Sequence, residues 1–235
     1  MSLQCIIFDV DGTMADTERD GHRVAFNLAF KEKRLDWHWD EELYGLLLKV
    51  TGGKERMKFY QSDFLKQSVL SNEEIKSLHA CKTKHYVKLL EAGKIPLRNG
   101  VRRLIEQAKS KNITLAISTT TTPINVATLL RATLGNDAES LFKVIAAGDV
   151  IPNKKPAPDI YNYALKKLNI DADNCVAIED SEAGLESAVQ AGIKTIVTTN
   201  LYTQNQDFSK AQKVYPNFND IDTQSLQNII GENHV

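Results

Sequence analysis

Apolar residues follow two rhythms along this chain. Near the N-terminus, Cys5-Ile6-Ile7-Phe8 is a short unbroken apolar run, the pattern of a buried strand. A helical rhythm then takes over. Asp16-Thr17-Glu18 supplies N-cap oxygens and first-turn acids, and Phe26 and Phe30 stand i and i+4 with Val24, Leu28 and Ala29 around them. From Trp37 to about residue 92 the spacing stays helical, with stripes at Leu43, Leu46, Leu47 and Val50, at Met57, Tyr60 and Phe64, and at Ile75, Leu78 and Val87-Leu89-Leu90. No strand signal interrupts them. Past Ile95-Pro96-Leu97 the pattern changes to alternation. Helices are predicted on Val101 to Ala108, over 123–134 (Thr122 as N-cap, Pro123 at the first position), over 160–168 and over 185–191. Strands are predicted over 113–118, 142–146, 175–178 and 193–198, with a short strand near Val214 and a closing helix from Thr223.

Such alternation implies parallel strands joined by helical crossovers, an α/β sheet covered on both faces. The chain is expected to divide into an α/β domain of residues 1–16 and 94–235 and an all-helical domain of residues 17–93. In a sheet of this kind ligands bind outside the carboxyl ends of the strands. Polar clusters follow the strands at that end: Asp9 and Asp11 after the first, Ser118-Thr119-Thr120-Thr121 after the second, Asn153-Lys154-Lys155 through Asp159 after the third, and Glu179-Asp180-Ser181 after the fourth. Asp9 and Asp11, at i and i+2, share one face of an extended segment, and two buried carboxylates demand a cation between them. Gly12 lets the backbone turn sharply there.

Composition narrows the function. Lys plus Arg is 29 and Asp plus Glu is 30, a net charge of −1, which offers no electrostatic footprint for nucleic acid or an anionic membrane. No apolar run is long enough to span a bilayer, and the first residues lack a signal-peptide pattern, so a cytoplasmic protein is expected. Three widely spaced cysteines, Cys5, Cys81 and Cys175, read as buried thiols rather than a disulfide frame or zinc site. His38, His79, His85 and His234 show no ligand spacing. No long unpartnered apolar segment stands out, and a monomer is expected.

Carboxylates, hydroxyls and a lysine converging on one rim suit phosphoryl transfer. A carboxylate can attack phosphorus and form an acyl phosphate, and Mg²⁺ favours oxygen ligands of this kind. A fixed ammonium and hydrogen-bond donors stabilise the transferring group. Asp9, Asp11, Glu179 and Asp180 offer the acidic cradle. Lys155, directly before Pro156, is favoured over Lys154 because the following proline holds it extended.

Asp9-Val10-Asp11-Gly12-Thr13, Ser118, Lys155-Pro156 and Glu179-Asp180 resemble, in order, the four motifs of the haloacid dehalogenase (HAD) superfamily. The helical insertion after the first motif resembles that superfamily's C1-type cap. The resemblance implies a Rossmann-like parallel-sheet core with a small all-helical cap. Ala15-Asp16-Thr17-Glu18 with His22, Thr51-Gly52-Gly53-Lys54-Glu55-Arg56, and Lys154 to Tyr161 are similar to the CbbY-like phosphatases. That likeness implies Mg²⁺-dependent hydrolysis of a phosphorylated sugar, notably xylulose 1,5-bisphosphate. Carried over by position, Asp9 is the nucleophile and Asp11 the acid–base. Asp9, Asp11 (through its backbone carbonyl), Glu179 and Asp180 form the metal site, and Ser118, Thr119 and Lys155 hold the phosphate. Asn153-Lys154 stands where many relatives have glycine, and the run of threonines leaves the second phosphate hydroxyl open.

Glu18 and His22, i and i+4 on the first helix, and Gly53, Lys54 and Arg56 are the candidate substrate contacts. Lys54 and Arg56 are suited to a second phosphate. The segments 13–17 and 93–97 are the expected hinges of cap closure. A phosphosugar mutase resembling β-phosphoglucomutase and a phosphoglycolate phosphatase are the alternative activities, since both use the same carboxylates. A dehalogenase proper has no need of Asp11.

Overall fold

Cys5–Phe8 forms strand β1, every residue of it buried. In this computed structural model, which describes residues 2–50, 52–67 and 69–231, the chain divides into two units, Met1–Asp16 with Pro96–Val235, and Thr17–Ile95. Thr51 and His234 lie outside the described residues.

The described part of the second unit is helical without a strand: α1 (Arg23–Glu32), α2 (Glu41–Leu47), α3 (Gly53–Phe59) and α4 (Asn72–Glu91). Its core is aromatic. The Phe26 and Phe30 rings lie 4.7 and 4.9 Å from Trp39, and Tyr60 closes on Trp37 and Trp39 at 5.2 and 5.4 Å. Asn27 clips the Trp39 backbone with two 2.8 Å hydrogen bonds, so the segment between α1 and α2 stays pinned without being helical. Asp40 caps α2 by accepting from the Leu43 N–H, and Ser71 and Glu74 form a capping box that starts α4.

Three sequence expectations change here. The segment before α1 is a π turn over Glu18–His22, closed by the Arg23 N–H on the Glu18 carbonyl, and Thr17 makes no side-chain cap. Along α2 the buried face carries Tyr44 and Leu47, while Leu46 is exposed, because Tyr44 joins the aromatic cluster and turns the helix. The stripe Met57-Tyr60-Phe64 breaks at a second π turn over Tyr60–Phe64, which leaves Phe64 exposed.

The other unit alternates as its sequence predicts: α5 (Val101–Ser110), β2 (Thr114–Thr119), α6 (Pro123–Leu134), β3 (Val144–Ala147), α7 (Asp159–Leu168), β4 (Cys175–Glu179), α8 (Glu182–Gln190), β5 (Lys194–Thr198), β6 (Lys213–Tyr215) and α9 (Thr223–Gly231). Six parallel strands run in the order β3-β2-β1-β4-β5-β6. On one face Cys5, Ile7, Ala116 and Ala177 pack with Ile160, Tyr161, Ala164 and Leu168 of α7 and Ala188 of α8. Cys5 and Cys175 face each other across neighbouring strands as free, buried thiols. Chain order reverses between β1 and β4, so the carboxyl ends of these two strands form the crevice where such a sheet takes ligands.

Candidate active site

Asp9 follows β1 directly, and its N–H still bonds the Ile178 carbonyl at 3.0 Å, so the sheet fixes its backbone. The chain then doubles back over Val10–Ala15, where Met14 N–H meets the Val10 carbonyl and Gly12 N–H the Ala15 carbonyl, both at 2.9 Å. Gly12 has φ +87°, and a Cβ there would lie 2.2 Å from Asp180 Oδ2. Glycine is therefore required at this position by conformation and by space. Arg98 lashes the turn from outside: Nη1 donates to the Gly12 carbonyl at 2.6 Å and to the Thr198 carbonyl at 3.1 Å, and Nη2 to the Thr199 carbonyl at 2.6 Å.

Three other segments meet Asp9 at this rim. Lys155, on the loop before α7, is buried, and its Nζ donates to Asp9 Oδ1 at 2.7 Å, to Glu179 Oε1 at 2.6 Å and to the Ser118 carbonyl at 2.9 Å. Ser187 of α8 anchors that loop by donating to the Ala157 carbonyl at 2.7 Å. Glu179 ends β4, and its Oε1 also accepts from the Tyr161 phenol at 2.5 Å. Asp180 accepts from Asn200 Nδ2 at 2.7 Å on Oδ2 and from Thr13 Oγ1 at 3.5 Å on Oδ1. Ser118 and Thr119 end β2, both buried. The Ser118 hydroxyl has no hydrogen-bond partner, and Thr119 Oγ1 accepts from the Thr121 N–H at 3.3 Å.

The electrostatics of this cluster are unbalanced. Asp9, Glu179 and Asp180 are buried carboxylates, and the buried Lys155 ammonium pairs with the first two. Burial, reinforced by the charges of Glu179 and Asp11, pushes the Asp9 carboxyl up to about 8 against the pull of Lys155. Burial and the Asp9 and Glu179 charges also raise Asp180 well above its ordinary value. Desolvation works against the Lys155 ammonium, but Asp9 and Glu179 outweigh it and raise its pKa. Asp9, Glu179 and Asp180 offer carboxylate oxygens all within 4.8 Å of one another, and Glu179 Oε2 is buried with no partner. An all-oxygen donor set with excess negative charge fits a hard divalent cation such as Mg²⁺.

The fold thus brings together Asp9, Ser118, Thr119, Lys155, Glu179 and Asp180 from the predicted set. Asp11 is half-buried, and its carboxylate is outside the close trio while its charge still acts on Asp9. Thr122 takes the N-cap position of α6, but its hydroxyl caps nothing and has no partner. The remaining predicted residues belong to the helical unit. Glu18 Oε2 accepts from the Tyr44 hydroxyl at 2.5 Å, and Arg56 Nη1 donates to Tyr44 at 2.6 Å and reaches Glu18 at 3.5 Å. His22 Nδ1 lies 2.7 Å from Lys82 Nζ and stacks on Tyr86. Glu18 and His22, read as one helix face, therefore reach different partners from the π turn. Gly53 packs where a Cβ would meet His79 at 2.8 Å, and Lys54 follows it in the first turn of α3.

Sequence reasoning missed Tyr161, Asn200 and Arg98. Asn200 stands just beyond β5, and extending the strand-end rule to that strand finds it. Tyr161 is in the first turn of α7, a short step from Lys155 on a helix whose start faces the site. Arg98 carries no local signal, since its side-chain hydrogen bonds reach partners 86 to 101 residues away.

At the β1/β4 crevice the sheet sets a strand-end carboxylate against a buried lysine, with an acidic pair at the end of the adjacent strand, an arrangement suited to a hydrolase. The chain belongs to the haloacid dehalogenase-like hydrolase family, whose model matches residues 3–192. It is 45% identical to the protein CbbY of Rhodobacter capsulatus over 226 residues, covering 96% of this chain and 98% of that one. Identity to a plasmid-encoded CbbY of Cupriavidus necator is also 45%, over 99% of this chain and 92% of the relative. Among solved structures, a CbbY mutant from Rhodobacter sphaeroides in complex with xylulose 1,5-bisphosphate superimposes with a TM-score of 0.86 at 42% identity, covering 93% of this chain and 96% of that chain. No helix among the described residues is long and apolar enough to cross a membrane.

Proposed function

We propose that this chain is a sugar-bisphosphate phosphatase that removes a phosphate from xylulose 1,5-bisphosphate through a phosphoaspartate on Asp9. The observation that carries the chemistry is the buried Lys155 ammonium, held between Asp9 and the Ser118 carbonyl beside a Ser118 hydroxyl that has no partner. This is a receptor for a phosphoryl group placed against a nucleophile. The substrate follows from the CbbY likeness, which spans nearly the whole chain.

Asp9 attacks phosphorus as the ester bond breaks, and Asp11 gives its proton to the leaving sugar oxygen. Asp11 then takes a proton from water as that water attacks the phosphoaspartate, releasing phosphate and regenerating Asp9. Ser118, Thr119 and Lys155 bind the phosphoryl oxygens throughout. Mg²⁺ would be held by Asp9, Asp180 and the Asp11 carbonyl, with Glu179 beside them, and would supply neutralising charge for the phosphate. The helical unit serves as the cap. Glu18, His22 and Gly53 contact the sugar, and Lys54 and Arg56 take the second phosphate.

The test is phosphate release with Mg²⁺ from xylulose 1,5-bisphosphate, ribulose 1,5-bisphosphate, fructose 1,6-bisphosphate, β-glucose 1-phosphate and phosphoglycolate, with Asp9→Asn as the inactive control. A strong preference for the xylulose ester is expected. A flat profile overturns the substrate. Interconversion of glucose 1- and 6-phosphates without phosphate release makes the chain a mutase. Replacing both Lys54 and Arg56 by Ala should raise KM for the bisphosphate and leave KM for a monophosphate unchanged.

A further inference from the structure

The helical unit gathers a second set of metal-binding groups, unrelated to the carboxylate cluster. Cys81 and His85 stand i and i+4 on α4, one turn apart on a common face. Glu32, the last residue of α1, lies against both: the Cys81 thiol donates to Oε1 at 3.2 Å, and His85 Nε2 lies 2.8 Å from Oε2. All three ligand atoms fall within 4.8 Å of one another. Zinc binds thiolate, imidazole and carboxylate at about 2.0–2.3 Å, and one ion can be reached by three atoms spaced this way after small side-chain rotations. Sequence alone hides the set, because the carboxylate is 49 residues from the cysteine and no ligand motif links them.

Burial is graded across the three. The thiol is buried, the imidazole half-buried and the carboxylate exposed, so the set opens to solvent on the glutamate side. That geometry admits an ion and leaves a fourth position for water, as three-ligand sites do. Burial and the Glu32 carboxylate hold the Cys81 thiol protonated, while the thiol and imidazole hydrogen bonds keep Glu32 ionised. An entering ion displaces the thiol proton to solvent and takes the place of the two donors on Glu32. Lys33 and Lys84 lie near enough to temper the thiolate charge.

We propose that Glu32, Cys81 and His85 form a Zn²⁺ site that clasps the end of α1 to α4. Thiolate and imidazole select a borderline-soft ion, whereas Mg²⁺ takes oxygen ligands, so this site and the carboxylate cluster draw different metals. The site stands independently of the reaction proposed above.

Co²⁺ titration of the reduced, full-length protein saturated with Mg²⁺ tests it. The expected result is a thiolate-to-cobalt charge-transfer absorption that saturates at one equivalent and is abolished by Zn²⁺. Cys81→Ser should lose that absorption while releasing phosphate at the wild-type rate, which also establishes that the variant is folded. His85→Gln should lose the one-equivalent saturation. Zn²⁺ should raise the unfolding midpoint of the wild type and not that of Cys81→Ser, since binding confined to the folded state stabilises it. No charge-transfer band, or a band that survives Cys81→Ser and so arises from Cys5 or Cys175, overturns the proposal.

Discussion

Lys155 leans on Asp9 while Glu179 holds its other side, and Glu179 Oε1 is shared between Lys155 at 2.6 Å and the Tyr161 phenol at 2.5 Å. Tyr161 is fully buried and its ring lies 5.2 Å from the Lys155 ammonium, so the phenol fixes a carboxylate that in turn aims a cation. Tyr161 is thus a positioning residue. Tyr161→Phe keeps the ring and removes one donor from a buried carboxylate. A hydrogen bond to a charged group is worth about 1.5–3 kcal/mol, part of which reaches Asp9 through Lys155. The expected outcome is a fall in kcat on the order of 10-fold with little change in KM. A Tyr161→Phe enzyme with wild-type kcat and KM would show that the phenol only fills space.

At the level of elements, the strands were the readable part. Each is a short apolar run with a polar cluster at its carboxyl end, and the periodicity that marks a buried strand also marks where the site must be. The four-segment cluster is therefore legible in the sequence. The π turns at Glu18–His22 and Tyr60–Phe64 were not, since a π turn adds a residue to a helix without changing which residue types appear. The supporting contacts were hidden for another reason: Arg98 bonds to partners 86 to 101 residues away, which leaves no spacing to read, and Asn200 and Tyr161 offer only their places beyond a strand end and at a helix start. Gly184 belongs with them. It lies in the first turn of α8, where alanine is the better helix former by about 1 kcal/mol. Yet a Cβ there would meet Glu179 Oε2 at 1.9 Å, and Glu179 is held in place by Lys155 and Tyr161. Gly184→Ala should therefore destabilise by about 1–3 kcal/mol through overpacking, lowering Tm by several degrees, and should depress phosphate release more steeply than it depresses stability. A variant with raised Tm and intact activity would mean that Glu179 can yield.

For the whole molecule, the excess of buried carboxylate ties stability to pH and to the metal. The Asp9 carboxyl stands at about 8 in the folded chain against an ordinary 3.8, and Asp180 is raised in the same direction. Between those limits the folded, metal-free protein retains protons that the unfolded chain has already released. The contribution of these carboxyls to stability is fully present below about pH 4 and is lost as pH rises through about 8, by up to about 1.4 kcal/mol per pH unit for each retained proton. Lys155, raised beyond its already high value, titrates above this window and does not contribute to the slope. A divalent cation takes the place of those protons and binds only the folded chain, so Mg²⁺ should stabilise more at pH 8 than at pH 6. The thermal midpoint of EDTA-treated protein should accordingly fall across this range, and saturating Mg²⁺ should flatten the fall. Asp9→Asn, which removes one carboxylate while keeping its shape, should flatten it without metal and raise the metal-free midpoint at pH 8. A fall that is equal in Asp9→Asn would assign the retained proton to Asp180 rather than Asp9; a midpoint that is level in the metal-free wild type would mean that the buried carboxylates are neutralised by Lys155, and a metal between Asp9 and Asp180 would lose its electrostatic basis.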